Sequence, residues 1–233
     1  MKKWIILFSI LIFPYLVVVV VEDLTHNILN LGYRTFHDDI LNKTDTLTSP
    51  DFNLMNQNQK NISSKDLMGY HYIVHFFFTS CPSICPPTIK NLIYLQEKIQ
   101  NYGIDNFKII SISVDPDNDT AEILKAYAMS MDIDSLNWEF LTGPQELIYD
   151  IAKSGFFVSA AQDSLQPGGV FHSSDITIVD HKGYIRTGID KEDNVRFTYD
   201  GTSFSDIKLL VGEIQRLSIP DNKFNDEIRY NTE

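Results

Sequence analysis

The stretch FFFTSCPSICPPTIKNL, residues 76–92, contains both cysteines of the chain, Cys81 and Cys85. Just upstream, HYIVHFFF (71–78) is an unbroken run of apolar, β-branched and aromatic residues, the pattern of a strand buried on both faces. Just downstream, PTIKNLIYLQEKIQ (87–100) puts Ile89, Leu92, Ile93, Leu95 and Ile99 near helical spacing, and Gly103 supplies the stop. Cys81 therefore falls where a strand ends, and Cys85 where a helix begins. Unpaired N–H groups at a helix start lower thiol pKa and favour the thiolate that disulfide exchange and metal binding both need. Helical geometry sets the two α-carbons about 6 Å apart, a separation that a disulfide accepts. Three roles are open: a crosslink, a redox couple, or a pair of metal ligands.

Outward from this stretch, strands and helices alternate. FKIISISV (107–114) reads as a second buried strand. DTAEILKAYAMSM (119–131) reads as a helix with Asp119 as N-cap and Glu122 completing a capping box. NWEFL (137–141) suits a short strand, and PQELIYDIAKSG (144–155) a helix opening on Pro144. The grammar then changes. SDITIVD and GYIRTGI flank Asp180-His181-Lys182-Gly183, a hairpin signal, and SFSDIKLLVGEIQRL (203–217) is an amphipathic last helix. Parallel β-α-β units, an antiparallel hairpin and a final helix predict an α/β fold with a mixed sheet flanked by helices, the element order of a thioredoxin-like domain.

At 233 residues the chain buries enough surface to fold without a crosslink, which weakens the staple reading. Nineteen Lys and Arg against 31 Asp and Glu give a formal charge of −12, which argues against nucleic acid as a partner. Trp4–Val21 runs 18 residues without a charge, between two lysines and Glu22-Asp23. As a helix it rises roughly 27 Å, enough to span a bilayer, with the lysines on the cytoplasmic side. A cleaved signal peptide has a shorter apolar core and a small-residue cleavage site, which VVVVVEDL lacks. The expected organisation is an anchor at 1–21, a stalk at 22–48, the folded domain at 49–220 and a tail at 221–233. The domain would lie on the non-cytoplasmic side, where a dithiol can be held oxidised.

Two thiolates are soft ligands that suit Cu(I), and an imidazole would complete a trigonal site, whereas zinc usually asks for four ligands. Of six histidines, His26 and His37 fall in the stalk, His71 and His75 share one face of a core strand, and His181 sits in a turn. His172 follows QPGGV and precedes the strand at 175, on a loop at the edge of the cysteines' sheet. Spacing does not by itself bring His172 to the sulfurs.

The motifs FFFTSCPSICP, ISVDPDNDTAEILKAYA, WEFLTGPQE and FHSSDITIVDHKGYIR resemble, in order, the Sco (SenC) family of copper chaperones for cytochrome c oxidase assembly. The likeness runs from about Phe52 to Leu217. Thr79, Cys81, Pro82, Cys85 and Pro86 meet the T-x-C-P-x-x-C-P signature; Asp115, Pro116, Asp119 and Thr120 meet D-P-x-x-D-T; His172, Ser173, Val179, Asp180 and Gly183 meet the late motif. The resemblance implies copper as the cofactor, with Cys81, Cys85 and His172 as its ligands, and places Asp115 and Asp119 beside the site. It implies as partner a cytochrome c oxidase subunit carrying a copper centre. The rival is a membrane-tethered thiol-disulfide oxidoreductase in which Cys81 and Cys85 cycle as a dithiol with a thiol reductant. Thioredoxin-type enzymes use C-x-x-C, and this chain has C-x-x-x-C. Against a calcium loop at DPDND (115–119) stand Thr120 and Ala126, where Gly and Glu are needed.

Overall fold

The computed structural model describes residues 47–133, 136–162, 170–189 and 195–218. The expected anchor at 1–21, the expected stalk up to residue 46 and the expected tail at 221–233 lie outside these residues. Among the described residues no helix is long and apolar enough to cross a membrane.

The apolar run after Gly69 forms β3 (His71–Phe77), in which all seven residues are buried. Before it, β1 (Asn53–Asn56) and β2 (Asn61–Ser63) form a hairpin whose turn holds Gln59 at φ +60. After it come α1 (Cys85–Asn101), β4 (Phe107–Ser113), α2 (Ala121–Ser130) and β5 (Trp138–Thr142). Strands β3, β4 and β5 pair in parallel, each joined to the next through a crossover helix. A short α3 (Gln145–Asp150) runs into one π-helical turn (Ile151–Gly155). The chain then makes two small strands, β6 (Ala160–Gln162) and β7 (Val170–His172), before β8 (Asp175–Val179) returns antiparallel to β3. The short strands β9 (Ile185–Arg186), β10 (Gly188–Ile189), β11 (Val195–Arg196) and β12 (Tyr199–Asp200) lead to α4 (Phe204–Leu217). The sheet order is β12-β8-β3-β4-β5-β1-β2, with β9 on β8. This is the mixed, helix-flanked sheet expected from the sequence, and its topology is thioredoxin-like.

Alternation along β3 divides the core between the two sheet faces. Phe77 meets Tyr127 of α2 and Phe140 of β5, with ring centroids 5.6 and 5.5 Å away. Phe76, pointing the other way, meets Phe156 at 6.1 Å, and α1 packs against α4. The loop after β3 thus leaves the middle of the sheet with strands on both sides.

Three expectations change. Ahead of them in the chain, Leu47 O accepts a backbone hydrogen bond from Ile185 N–H and Thr48 bridges Tyr184. The N-cap of α2 is Thr120, whose hydroxyl accepts from Ile123 N–H, rather than Asp119, whose side chain is engaged elsewhere. The helix expected over 144–155 is α-helical only to Asp150, after which the chain widens into the π turn. His172 ends a strand, β7, which pairs with β6 in a separate two-stranded sheet rather than sitting on a loop of the main one.

Candidate metal centre

The two cysteines are where the sequence puts them. Cys81 lies in the loop after β3, its N–H donating to Phe78 O at 3.2 Å, and Cys85 is the first residue of α1. Neither is in a disulfide. Ile84 caps α1 without a side-chain acceptor, and Pro86 and Pro87 carry no N–H. The few N–H groups at this end are therefore free to serve sulfur.

His172 arrives from 87 residues beyond Cys85 in sequence, carried by the β6–β7 hairpin. Its Nε2 is 3.3 Å from Cys85 Sγ, and its Nδ1 is 3.0 Å from the carbonyl oxygen of Ser173. Nδ1–H donates to that carbonyl, leaving the Nε2 lone pair facing the sulfur. The ring of Phe78 packs edge-on against the imidazole, centroids 5.6 Å apart. One ligand atom each from Cys81, Cys85 and His172 lie within 4.8 Å of one another, and all three residues are buried. Among the described residues no other group of His, Cys, Asp and Glu is gathered in this way.

The thiols are unequal. Burial works to raise the Cys81 pKa, but hydrogen bonds from the Ser83 and Cys85 backbone and from the Cys85 thiol outweigh it, so the value is lowered. Cys85 is deeper, and burial raises its pKa despite a backbone hydrogen bond at Phe78; the nearby Cys81 and Asp119 push the same way. The helix start therefore activates only one of the two thiols, because desolvation wins at the other. Burial also lowers the His172 pKa, so the imidazole is a neutral ligand whose Nε2 lone pair faces Cys85 Sγ.

The remaining candidates fall as follows. Asp115 is held by Asn118, whose Nδ2 reaches both of its oxygens at 3.0 and 2.9 Å. Asp119 is buried and accepts from Thr79 and Ser113. His75 is buried, with Nε2 at 2.5 Å from Ser111 Oγ, and His71 packs edge-on against His181 at 5.0 Å. These two histidines share a strand face, as expected, and belong to the core. The contact that sequence reasoning missed is the ring of Phe78 against His172; its place three residues before Cys81, on the face opposite Phe77, was the available signal.

The donor set is soft and three-coordinate, which suits cuprous copper and is one ligand short of a structural zinc site. Residues 42–202 match the SCO1/SenC family. An "SCO1 protein homolog" of Bacillus subtilis is 41% identical over 106 residues, 45% of this chain and 54% of that protein. The chain thus spans about half the length of that curated relative. The structure of BsSco, described as a member of the Sco family of cytochrome c oxidase assembly proteins with a disulfide switch, is 28% identical with a TM-score of 0.61, covering 74% of this chain and 94% of that one. Arabidopsis thaliana ScoI, solved with copper bound, is 26% identical with a TM-score of 0.57, covering 72% and 99%. With the family match extending over more than half of its length, the chain belongs to the SCO1/SenC family.

Proposed function

We propose that this chain takes up Cu(I) through Cys81, Cys85 and His172 and delivers it to a copper-bearing subunit of cytochrome c oxidase during assembly. The observation that carries the reading is the convergence of two sulfurs and an imidazole nitrogen within 4.8 Å. The copper-bound Arabidopsis relative and the oxidase-assembly role given for BsSco support it. The first 21 residues would anchor the chain with its domain on the non-cytoplasmic side, confining carrier and recipient to one membrane and raising their encounter rate.

In this reading copper is cargo. Cys81, the more acidic thiol, makes first contact, and Cys85 gives up its proton as the ion enters between its sulfur and His172. Both sulfurs bind as thiolates, so loading releases the protons that the thiols carry. His172 keeps its orientation throughout by its hydrogen bond to the Ser173 carbonyl. Transfer then proceeds by exchange of these ligands for those of the recipient.

The unequal thiols and the disulfide switch described for BsSco favour a second use of the same pair. A Cys81 thiolate attacks a partner disulfide, and Cys85 resolves the mixed disulfide; two electrons pass to the partner and the pair leaves oxidised. The test is Cu(I) titration of the reduced chain against a competing chelator. One tightly held Cu(I) is expected, abolished by prior oxidation and weakened at least about 10-fold in His172→Ala. Unchanged affinity in that variant, with fast disulfide exchange, would transfer the assignment to the oxidoreductase.

A further inference from the structure

We infer that Asp119 is a positioning residue that latches the two-cysteine loop to the end of β4. The inference rests on the copper reading for its consequence, while the latch itself stands on geometry. Asp119 is 1% exposed, and its carboxylate meets only donors. Oδ1 accepts from Thr79 Oγ1 at 2.5 Å; Oδ2 accepts from Thr79 N–H at 3.0 Å and from Ser113 Oγ at 2.5 Å. Among the described contacts no cation pairs with it, so these three donors compensate its burial.

The two segments it joins frame the metal centre. Thr79 lies two residues before Cys81, at the point where β3 has ended and no sheet ladder holds the backbone. Ser113 ends β4, and its hydroxyl also accepts from Asp115 N–H at 3.1 Å. The turn that presents Asp119 closes on itself, with Asn118 and Asp119 N–H groups donating to Asp115 O at 3.1 and 2.9 Å. A folded acidic turn thus reaches across to hold the loop by both its backbone and its side chain. A loop tied at Thr79 on one end and by α1 at Cys85 on the other has little freedom to carry Cys81 away from His172. This gives the T-x-C-P and D-P-x-x-D-T stretches, 40 residues apart at Thr79 and Asp119, one shared physical task.

Thr79→Val tests it, since valine keeps the branched shape and removes only the hydroxyl donor. Thr79→Ser restores that donor, and Ser113→Ala releases the β4 side together with the hydrogen bond from Asp115 N–H. In the reduced full-length chain, Thr79→Val is expected to weaken Cu(I) binding by roughly 10-fold or more, in the range seen when groups supporting metal ligands are removed. Thr79→Ser should stay within about 3-fold of the parent, and Ser113→Ala should fall between. In the metal-free reduced chain, alkylation of the buried Cys85 should speed several-fold in Thr79→Val and not in Thr79→Ser. Parent-like affinity and alkylation in a folded Thr79→Val chain would overturn the latch. Equal losses in Thr79→Val and Thr79→Ser would overturn it too. The alkylation comparison needs no metal: failure of the parent to bind Cu(I) would sink the copper reading and leave the latch to be judged on alkylation alone.

Discussion

A single hydroxyl under the sheet organises more than its size suggests. Ser111 Oγ lies 2.6 Å from Trp138 Nε1 and 2.5 Å from His75 Nε2, deep in the core. The indole N–H can only donate, so the serine accepts from it and directs its own proton toward the imidazole. Removing that oxygen leaves two buried polar groups without this partner, each costing about 1–3 kcal/mol. Ser111→Ala should therefore destabilise the domain by about 2–6 kcal/mol in urea unfolding at neutral pH, while a surface change such as Lys125→Ala stays near zero. The same reasoning explains why His75, although it shares a strand with the approach to the cysteines, is a packing residue: its ring already has a partner in the core.

Elements, rather than single contacts, bring His172 to the sulfurs. The residues after β7 are fixed by Ser173 N–H donating to Ser159 O, and the same neighbourhood is tied to α1 through Gly201. Gly201 N–H donates to Ser174 O at 2.8 Å and its carbonyl accepts from Asn91 Nδ2 at 2.8 Å. A Cβ at this position would stand 2.7 Å from Thr88 Cγ2 and 2.9 Å from Ser174 O, so a side chain wedges α1 away from the segment that follows His172. Gly201→Ala is expected to cost about 1–3 kcal/mol and to weaken Cu(I) binding as the helix and the histidine segment part. Gly212, on α4, offers open space instead, with nothing within 4 Å of where a Cβ would stand. Gly212→Ala should be neutral or stabilising by up to about 1 kcal/mol. Thermal unfolding and chelator competition on the two variants check the contrast.

For the molecule as a whole, buried histidines set the acid limit. Burial, reinforced by His181 and opposed by Asp180, pushes the His71 pKa down to about 4; burial, followed by the neighbouring His172, pushes His75 down to about 3. Both are neutral in the fold, whereas in the unfolded chain they protonate near 6.5. Their contribution is complete above about pH 6.5 and is lost as pH falls through the window down to about 4 for His71 and about 3 for His75. The slope is at most about 1.4 kcal/mol per pH unit for each histidine. Urea midpoints measured on acidification from neutral pH should fall, and His71→Gln should flatten the fall; a midpoint that rises on acidification would contradict the assignment.

The local elements were legible from residues alone. An unbroken apolar run such as 71–78 can bury both faces only in a central strand, and the spacing of Ile89, Leu92, Leu95 and Ile99 allows only one helical face to enter the core. Short-range chemistry also set Cys81 and Cys85 at the strand-to-helix junction. Relations between distant segments were left to the tertiary structure: that His172 ends a strand and meets Cys85 at 3.3 Å, that Asp119 leaves the capping of α2 to Thr120 and holds Thr79 instead, and that burial sets the two thiols apart. Periodicity and capping depend on neighbours a few residues away, whereas ligand convergence and desolvation depend on which segments the sheet brings together.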